Sequence, residues 1–291
     1  VSEKLVGMLV KGRPHPRIVS FLGEGKRQNA DTGIHFFEVI LLMELVPGGS
    51  LLHALQNSRG PFAEERARKF VCQVLEGLFH LHNVLNVIHR DIKPGNILVT
   101  ADDNLKIADL GGSIFVEEDG NASSFIGTPY YMAPEILKKE KYTNKVDVFS
   151  TGCLLVHMLT GKTPFLNSHL NELAYAYRMR NDDLILEVPL GPLGGGVWET
   201  TRMYHFVSCM VENDPRERGD VRQLLAHEAM EHDVRQHQLV HREQLFDTSL
   251  TAPAADPFGE ESASSGEEAD GEEALLLREE PETANASTST A

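Results

Sequence analysis

The sequence predicts an α+β fold in which a small piece of one helix and two strands leads into a larger, mainly helical piece. Three observations carry that expectation. Two Val-, Ile- and Phe-rich runs lie near the N-terminus, long stretches with apolar residues at helical spacing follow Gly48-Gly49, and only short apolar runs separate those stretches.

In chain order, SEKLVGMLV reads as a short amphipathic helix. HPRIVSFLG and HFFEVILLMELV read as two strands, joined by a polar connection containing Asn29, Asp31 and Gly33. After the break at Gly48-Gly49, helical patterns cover 64–84, 144–161, 169–180, 202–213 and 220–229. Short strands at 97–99 and 105–109, then a Gly/Ser-rich loop, lie between the first two. Beyond Phe246 the stretch EESASSGEEADGEE is acidic and nearly free of aromatics. Such a segment buries too little apolar surface to offset its chain entropy, so a disordered tail is expected over 246–291.

The net charge of -16 is unevenly spread. From Asp247 to Ala291 there are 12 Asp and Glu against the single basic Arg278, giving -11, so only -5 belongs to residues 1–246. No basic patch points to nucleic acid. No uninterrupted apolar run approaches the ~20 residues that cross a bilayer, and Glu38 and Glu44 interrupt the best one. Cys72, Cys153 and Cys209 are far apart, each inside an apolar periodic stretch, and read as small buried hydrophobes in a reducing compartment. His227, His232, His237 and His241 read as part of a solvated helix rather than a metal site.

The chemistry concentrates in VIHRDIKPGNILV, residues 87–99, where five polar or charged side chains sit between two apolar pieces. HRDIKPGN resembles the catalytic loop of protein kinases. DLG at 109–111 is similar to the family's metal-binding DFG, with Leu110 in place of Phe. GTPYYMAPE at 127–135, DVFSTGCLLVHMLTGKTPF at 147–165 and DPRERGD at 214–220 match later family motifs in the right order. The resemblance spans roughly residues 1–230. It implies a protein-kinase-like fold with a partial small lobe over 1–46 and a large lobe over 47–245.

Phosphoryl transfer depends on positioning and charge neutralisation more than on covalent chemistry. The resemblance implies that Asp91 orients the acceptor hydroxyl and takes its proton, with Lys93 neutralising the transferring group. Asn96 and Asp109 would hold Mg2+, a hard cation suited to oxygen ligands, and Thr128 would contact Asp91. Met43 resembles the gatekeeper, Glu44 and Val46 the hinge that hydrogen-bonds adenine, and Leu98 the floor beneath the ring. His89 and Leu110 would be packing residues. Glu135 and Arg218 would form a buried ion pair, and Asp147 would hydrogen-bond the catalytic-loop backbone.

Lys93 together with GTPYY implies Ser/Thr specificity, with ATP and protein substrates as partners. An upstream kinase would phosphorylate Ser124, and Arg90 would pair with that phosphate; the alternative is that Ser123 and Ser124 are polar loop filler. MELVPGGSL, HRDIKPGN and GTPYYMAPE resemble the MAP kinase kinase kinases, while the 23–35 connection and EVILLMEL resemble the Numb-associated kinases. GTPYYMAPE favours the former. A cytoplasmic location is expected, with the nucleus left open.

The family's Gly-rich loop and strand lysine are not found in this sequence. Glu3 is the candidate for the helix glutamate that pairs with that lysine, while Lys4 and Lys11 are poor stand-ins for the lysine itself. The chain opens on Val, and the expectation is an N-terminally truncated active kinase whose 291-residue piece transfers phosphate poorly on its own. The alternative is a pseudokinase acting as a binding scaffold.

Overall fold

The computed structural model describes residues 2–29, 36–116, 128–164 and 201–230. Helix α1 (Ser2–Gly12) comes first, followed by the antiparallel ribbon β1 (Phe21–Asn29) and β2 (Phe36–Met43). The first strand therefore begins six residues later than HPRIVSFLG suggested. In that run Ile18, fully buried, makes one isolated parallel bridge to Ile107, and Val19 N–H donates to the Ile107 carbonyl at 2.8 Å. The apolar run serves core burial there rather than a ladder. The ribbon itself leaves Leu22, Val39, Leu42 and Met43 exposed.

Helix α2 (Leu51–Asn57), which the apolar periodicity did not reveal, starts at Ser50, whose hydroxyl accepts from His53 N–H at 3.3 Å. Helix α3 (Glu64–Phe79) carries Glu64 and Glu65 in its first turn, where carboxylates complement the helix dipole. The helical pattern predicted to Val84 continues as one wider π turn over His80–Val84. Two short antiparallel pairs follow: β3 (Val87–Ile88) with β6 (Ile114–Phe115), and the hairpin β4 (Ile97–Val99) with β5 (Leu105–Ile107).

Helix α4 (Pro134–Leu137) leads into α5 (Lys145–Thr160), which is apolar nearly all round and correspondingly buried. It ends on Gly161 at φ +68, with Gly161 N–H donating to His157 O at 2.8 Å. Helix α6 (Thr201–Val211) crosses α5 so closely that a Cβ on Gly152 would lie 2.5 Å from Val211 Cγ1. Helix α7 (Val221–Leu225) opens with a capping box between Asp220 and Gln223, and a 3-10 turn at Glu228–Met230 replaces the single helix expected over 220–229. The predicted helix at 169–180 and the acidic tail at 246–291 lie outside the described residues. Among the described residues no helix is long and apolar enough to cross a membrane.

Candidate active site

Hairpin pairing builds the site. Ile97 lies opposite Ile107, so Asn96 and Ala108 flank the same end of the β4–β5 ladder, and Ala108 N–H donates to Asn96 O at 2.8 Å. Asp109 is the next residue. The pairing thus brings Asp109 back to the loop that carries Asp91, across the intervening chain.

Within that loop four predicted residues converge. Thr128 Oγ1 donates to Asp91 Oδ1 at 2.9 Å, and Lys93 Nζ donates to Asp91 Oδ2 at 2.6 Å and to Thr128 Oγ1 at 2.8 Å. Asn96 Nδ2 donates to Asp91 Oδ2 at 2.8 Å and to its carbonyl at 2.9 Å. Asp91 and Lys93 remain partly open to solvent, so the cluster is accessible to a substrate. No described residue donates to Asn96 Oδ1, and Asp109 receives only Gly111 N–H, at 3.3 Å, on Oδ1. One amide oxygen and one carboxylate oxygen are therefore left for a hard cation, and this donor set fits Mg2+.

The loop backbone is held from the buried side. Asp147 of α5, completely buried, accepts His89 N–H and Arg90 N–H at 2.8 Å each and contacts His82 Nε2 at 2.7 Å. Burial alone would raise its pKa, but the hydrogen bond and charge of His82, with His89 behind them, hold it below the ordinary value. The fixed backbone keeps Arg90 at φ +72, a conformation that a long side chain rarely adopts. The Arg90 guanidinium donates to Gly112 O at 2.5 Å and to Tyr142 OH at 3.2 Å. Its expected phosphate partner, Ser124, lies outside the described residues.

His89 is a packing residue, as expected: it is fully buried, with Nε2 against Ala108 O at 3.0 Å. Leu110 is buried too. Arg218, fully buried, donates through both terminal nitrogens to Glu135, at 2.6 and 2.9 Å.

On the ribbon side, Met43 lines a cleft with Gly7, Ile107, Asp109 and Leu110. Val46 is buried and Leu98 half-buried. Val99 N–H donates to Gly49 O at 2.8 Å, and a side chain on Gly48 would collide with the Val99 carbonyl. The segment after Val46 is thereby fixed against the strand carrying Leu98. The Glu44 amide is spent on Ser20 O at 3.0 Å. Its carboxylate accepts from Ser20 N–H and Lys106 Nζ, both at 2.7 Å. Burial pushes that group up, and those two donors more than reverse it, so its pKa falls below the ordinary value. Neither the Glu44 carbonyl nor the Val46 N–H is taken by a described residue, which leaves one acceptor and one donor for a ligand edge.

The Glu3 side chain is outside the described residues, although its backbone belongs to α1. Lys11, dismissed as a stand-in lysine, is bound to Leu22 O at 2.9 Å. Sequence reasoning missed the Ser20–Glu44–Lys106 network, although Lys106 between Leu105 and Ile107 already pointed to the opposite face of the strand. His227 corrects the reading of a solvated helix. It stacks on His205 with Nε2 2.9 Å from His205 Nδ1, while His232, His237 and His241 lie outside the described residues.

Residues 6–230 match the family described as Protein kinase domain. The chain is 34% identical over 221 residues to "MAP3K epsilon protein kinase 2" of Arabidopsis thaliana, covering 75% of this chain and 15% of that protein. It is 36% identical over 220 residues to "Cytokinesis protein sepH" of Aspergillus niger, again covering 75% of this chain and 15% of the relative. It is 39% identical over 160 residues to "Mitogen-activated protein kinase kinase kinase ANP1" of Arabidopsis thaliana, covering 54% of this chain and 22% of the relative. The chain thus spans less than a quarter of the length of each of these relatives.

Proposed function

We propose, for a chain that belongs to the protein kinase domain family and is similar to MAP kinase kinase kinases, that it transfers the γ-phosphoryl group of ATP to serine or threonine hydroxyls of proteins. The observation that carries this reading is the convergence of Thr128, Lys93 and Asn96 on the Asp91 carboxylate.

In this reading Asp91 holds the acceptor hydroxyl and takes its proton as the new O–P bond forms and the bond from the γ-phosphorus to the β–γ bridging oxygen breaks. Lys93, already against both Asp91 and Thr128, faces the charge on the transferring group. Asn96 and Asp109 would hold Mg2+ through the oxygens that no described residue fully occupies. That ion, when bound, neutralises phosphate charge. The adenine edge would meet the Glu44 carbonyl and the Val46 N–H, with Leu98 beneath the ring and Met43 behind it. Phosphorylation of Ser124 by an upstream kinase would regulate transfer, and Ser124→Ala abolishing activation is its test. We place the protein in the cytoplasm.

Label transfer from Mg-ATP to acceptor peptides, measured on the full-length protein, tests the reading. Asp91→Asn should lower turnover by roughly 10²- to 10⁴-fold, the usual contribution of a positioned base, with folding intact. Equal labelling by wild type and Asp91→Asn, or no labelling by wild type, would overturn it. The second outcome would leave the scaffold reading.

A further inference from the structure

A second buried hydrogen bond reaches the acceptor side from α5 and has no part in the chemistry described so far. Tyr131 closes the 3-10 turn at Pro129–Tyr131, with its N–H donating to Thr128 O at 2.9 Å. Its own carbonyl accepts from Ser150 Oγ at 2.7 Å, and its phenol lies 2.8 Å from His157 Nδ1. Tyr131 and His157 are both buried, with rings stacked at 26° and 6.4 Å between centroids. The residue that touches Asp91 and Lys93 is therefore one turn from a residue clamped to α5 at two points, its carbonyl and its phenol.

Resting on the proposed transfer reaction, we infer that His157 and Tyr131 are positioning residues for the acceptor hydroxyl. His157 Nδ1 accepts the Tyr131 O–H, and this bond sets where Thr128 Oγ1 stands relative to Asp91 and Lys93. Burial leaves both groups uncharged, as this bond requires. It pushes the His157 imidazole down to about 4, so the ring is neutral near pH 7, and it raises the Tyr131 phenol, so the hydroxyl keeps its proton. Beside this pair lies the buried thiol of Cys153, whose pKa burial also raises, so it stays neutral. Arg218, the cation that acts on Cys153, is itself held by Glu135. His157 lies 10 residues into the sequence after Asp147 on the same helix, so α5 supports both halves of the site: the catalytic loop through Asp147, and the acceptor turn through His157.

Three variants in the full-length protein test the inference. Tyr131→Phe deletes one oxygen and keeps the ring packing. His157→Leu removes the acceptor. His157→Asn restores it, because Asn Oδ1 is as many bonds from Cα as His Nδ1. Tyr131→Phe and His157→Leu should lower kcat for peptide transfer on the order of 10-fold, the effect of a small misplacement, while KM for ATP stays within about twofold; His157→Asn should recover most of the loss. Amide hydrogen exchange at Tyr131 and Met132, whose N–H groups close the turn, should rise in His157→Leu and not in His157→Asn. Wild-type kcat and unchanged exchange in both disrupting variants would overturn the inference. So would a loss shared equally by peptide and ATP parameters that His157→Asn does not rescue, which would mark a role in stability alone. If the wild type transfers no phosphate, the proposed function fails and the exchange measurement still decides whether the bond positions the turn.

Discussion

Replacing Asp147 by Asn should cost far more stability than its small change in shape suggests. The carboxylate serves three donors: two backbone N–H groups at 2.8 Å and His82 Nε2 at 2.7 Å. Asn offers one oxygen. If that oxygen keeps the Arg90 N–H, the new amide NH₂ faces the His89 N–H, and two donors oppose each other in a fully buried place. One orphaned buried N–H costs about 1–3 kcal/mol, and the loss of charge assistance on the bond that survives adds about 1 kcal/mol. His82 can change tautomer and accept from the new amide, so its share is small. The sum is roughly 2–4 kcal/mol, which for a domain of this size lowers Tm by roughly 5–15 °C. Urea unfolding of the full-length protein would report it as a lower midpoint at unchanged slope. The pH dependence has a definite sign. The folded pKa of Asp147 lies below its usual 3.8, so its contribution is complete above that value and fades as pH falls through the folded one. Wild type and variant should therefore converge in acid, as pH falls through the folded value. A difference under about 1 kcal/mol at pH 7 would refute the claim that this carboxylate holds the loop.

Other outcomes follow from the same contacts. Arg218→Met leaves Glu135, 2% exposed, as an unpaired buried charge and should destabilise by about 3–5 kcal/mol, while Glu135→Gln should cost less; thermal unfolding separates them. Gly152→Ala places a methyl against Val211 and Met210 of α6 and should cost about 1–3 kcal/mol by urea titration. His157 binds protons less readily folded, at about 4, than unfolded, at 6.5. The unfolded chain therefore holds the extra proton between those values, and stability falls by roughly 3 kcal/mol as pH drops from 6.5 to 4. His157→Asn should flatten that slope in pH-resolved unfolding.

The helical half of the fold was legible because α3, α5 and α6 are long and strongly patterned, and their bounds lie within a few residues of the periodic stretches. HPRIV was read as a strand because Val and Ile favour strands, but its backbone pairing is confined to one parallel bridge with Ile107, where Val19 N–H donates to Ile107 O and Ile107 N–H to Arg17 O. Apolar content alone cannot say whether a run pairs by backbone or by side chain. Helix α2 escaped because seven residues hold too few turns for a period, and its Ser50 cap was the available signal. The side chains that meet at Asp91 were legible as a motif. Tyr142 beneath Arg90, Lys106 on Glu44 and His157 on Tyr131 were not, since each joins residues 26 to 62 positions apart that only the tertiary fold brings together.

That division has a physical basis. Arg90 at φ +72 and Asp109 at φ +59 sit in left-handed backbone, a state that costs of order 1–3 kcal/mol for such residues and persists only where the surroundings over-determine it. For Arg90 those surroundings are identifiable: its N–H is fixed by Asp147 and its guanidinium by Gly112 and Tyr142. For Asp109 they are the Ala108–Asn96 bond behind it and the Gly111 N–H on its own carboxylate. Relaxing either residue toward ordinary dihedrals would redirect the Asp91 or Asp109 carboxylate. The buried polar residues of α5 and the hairpin register thus have one task in common, which is to hold two strained turns in place. Substitutions at Asp147 should accordingly reduce transfer by more than the unfolded fraction accounts for, and turnover corrected for that fraction is the quantity that decides it.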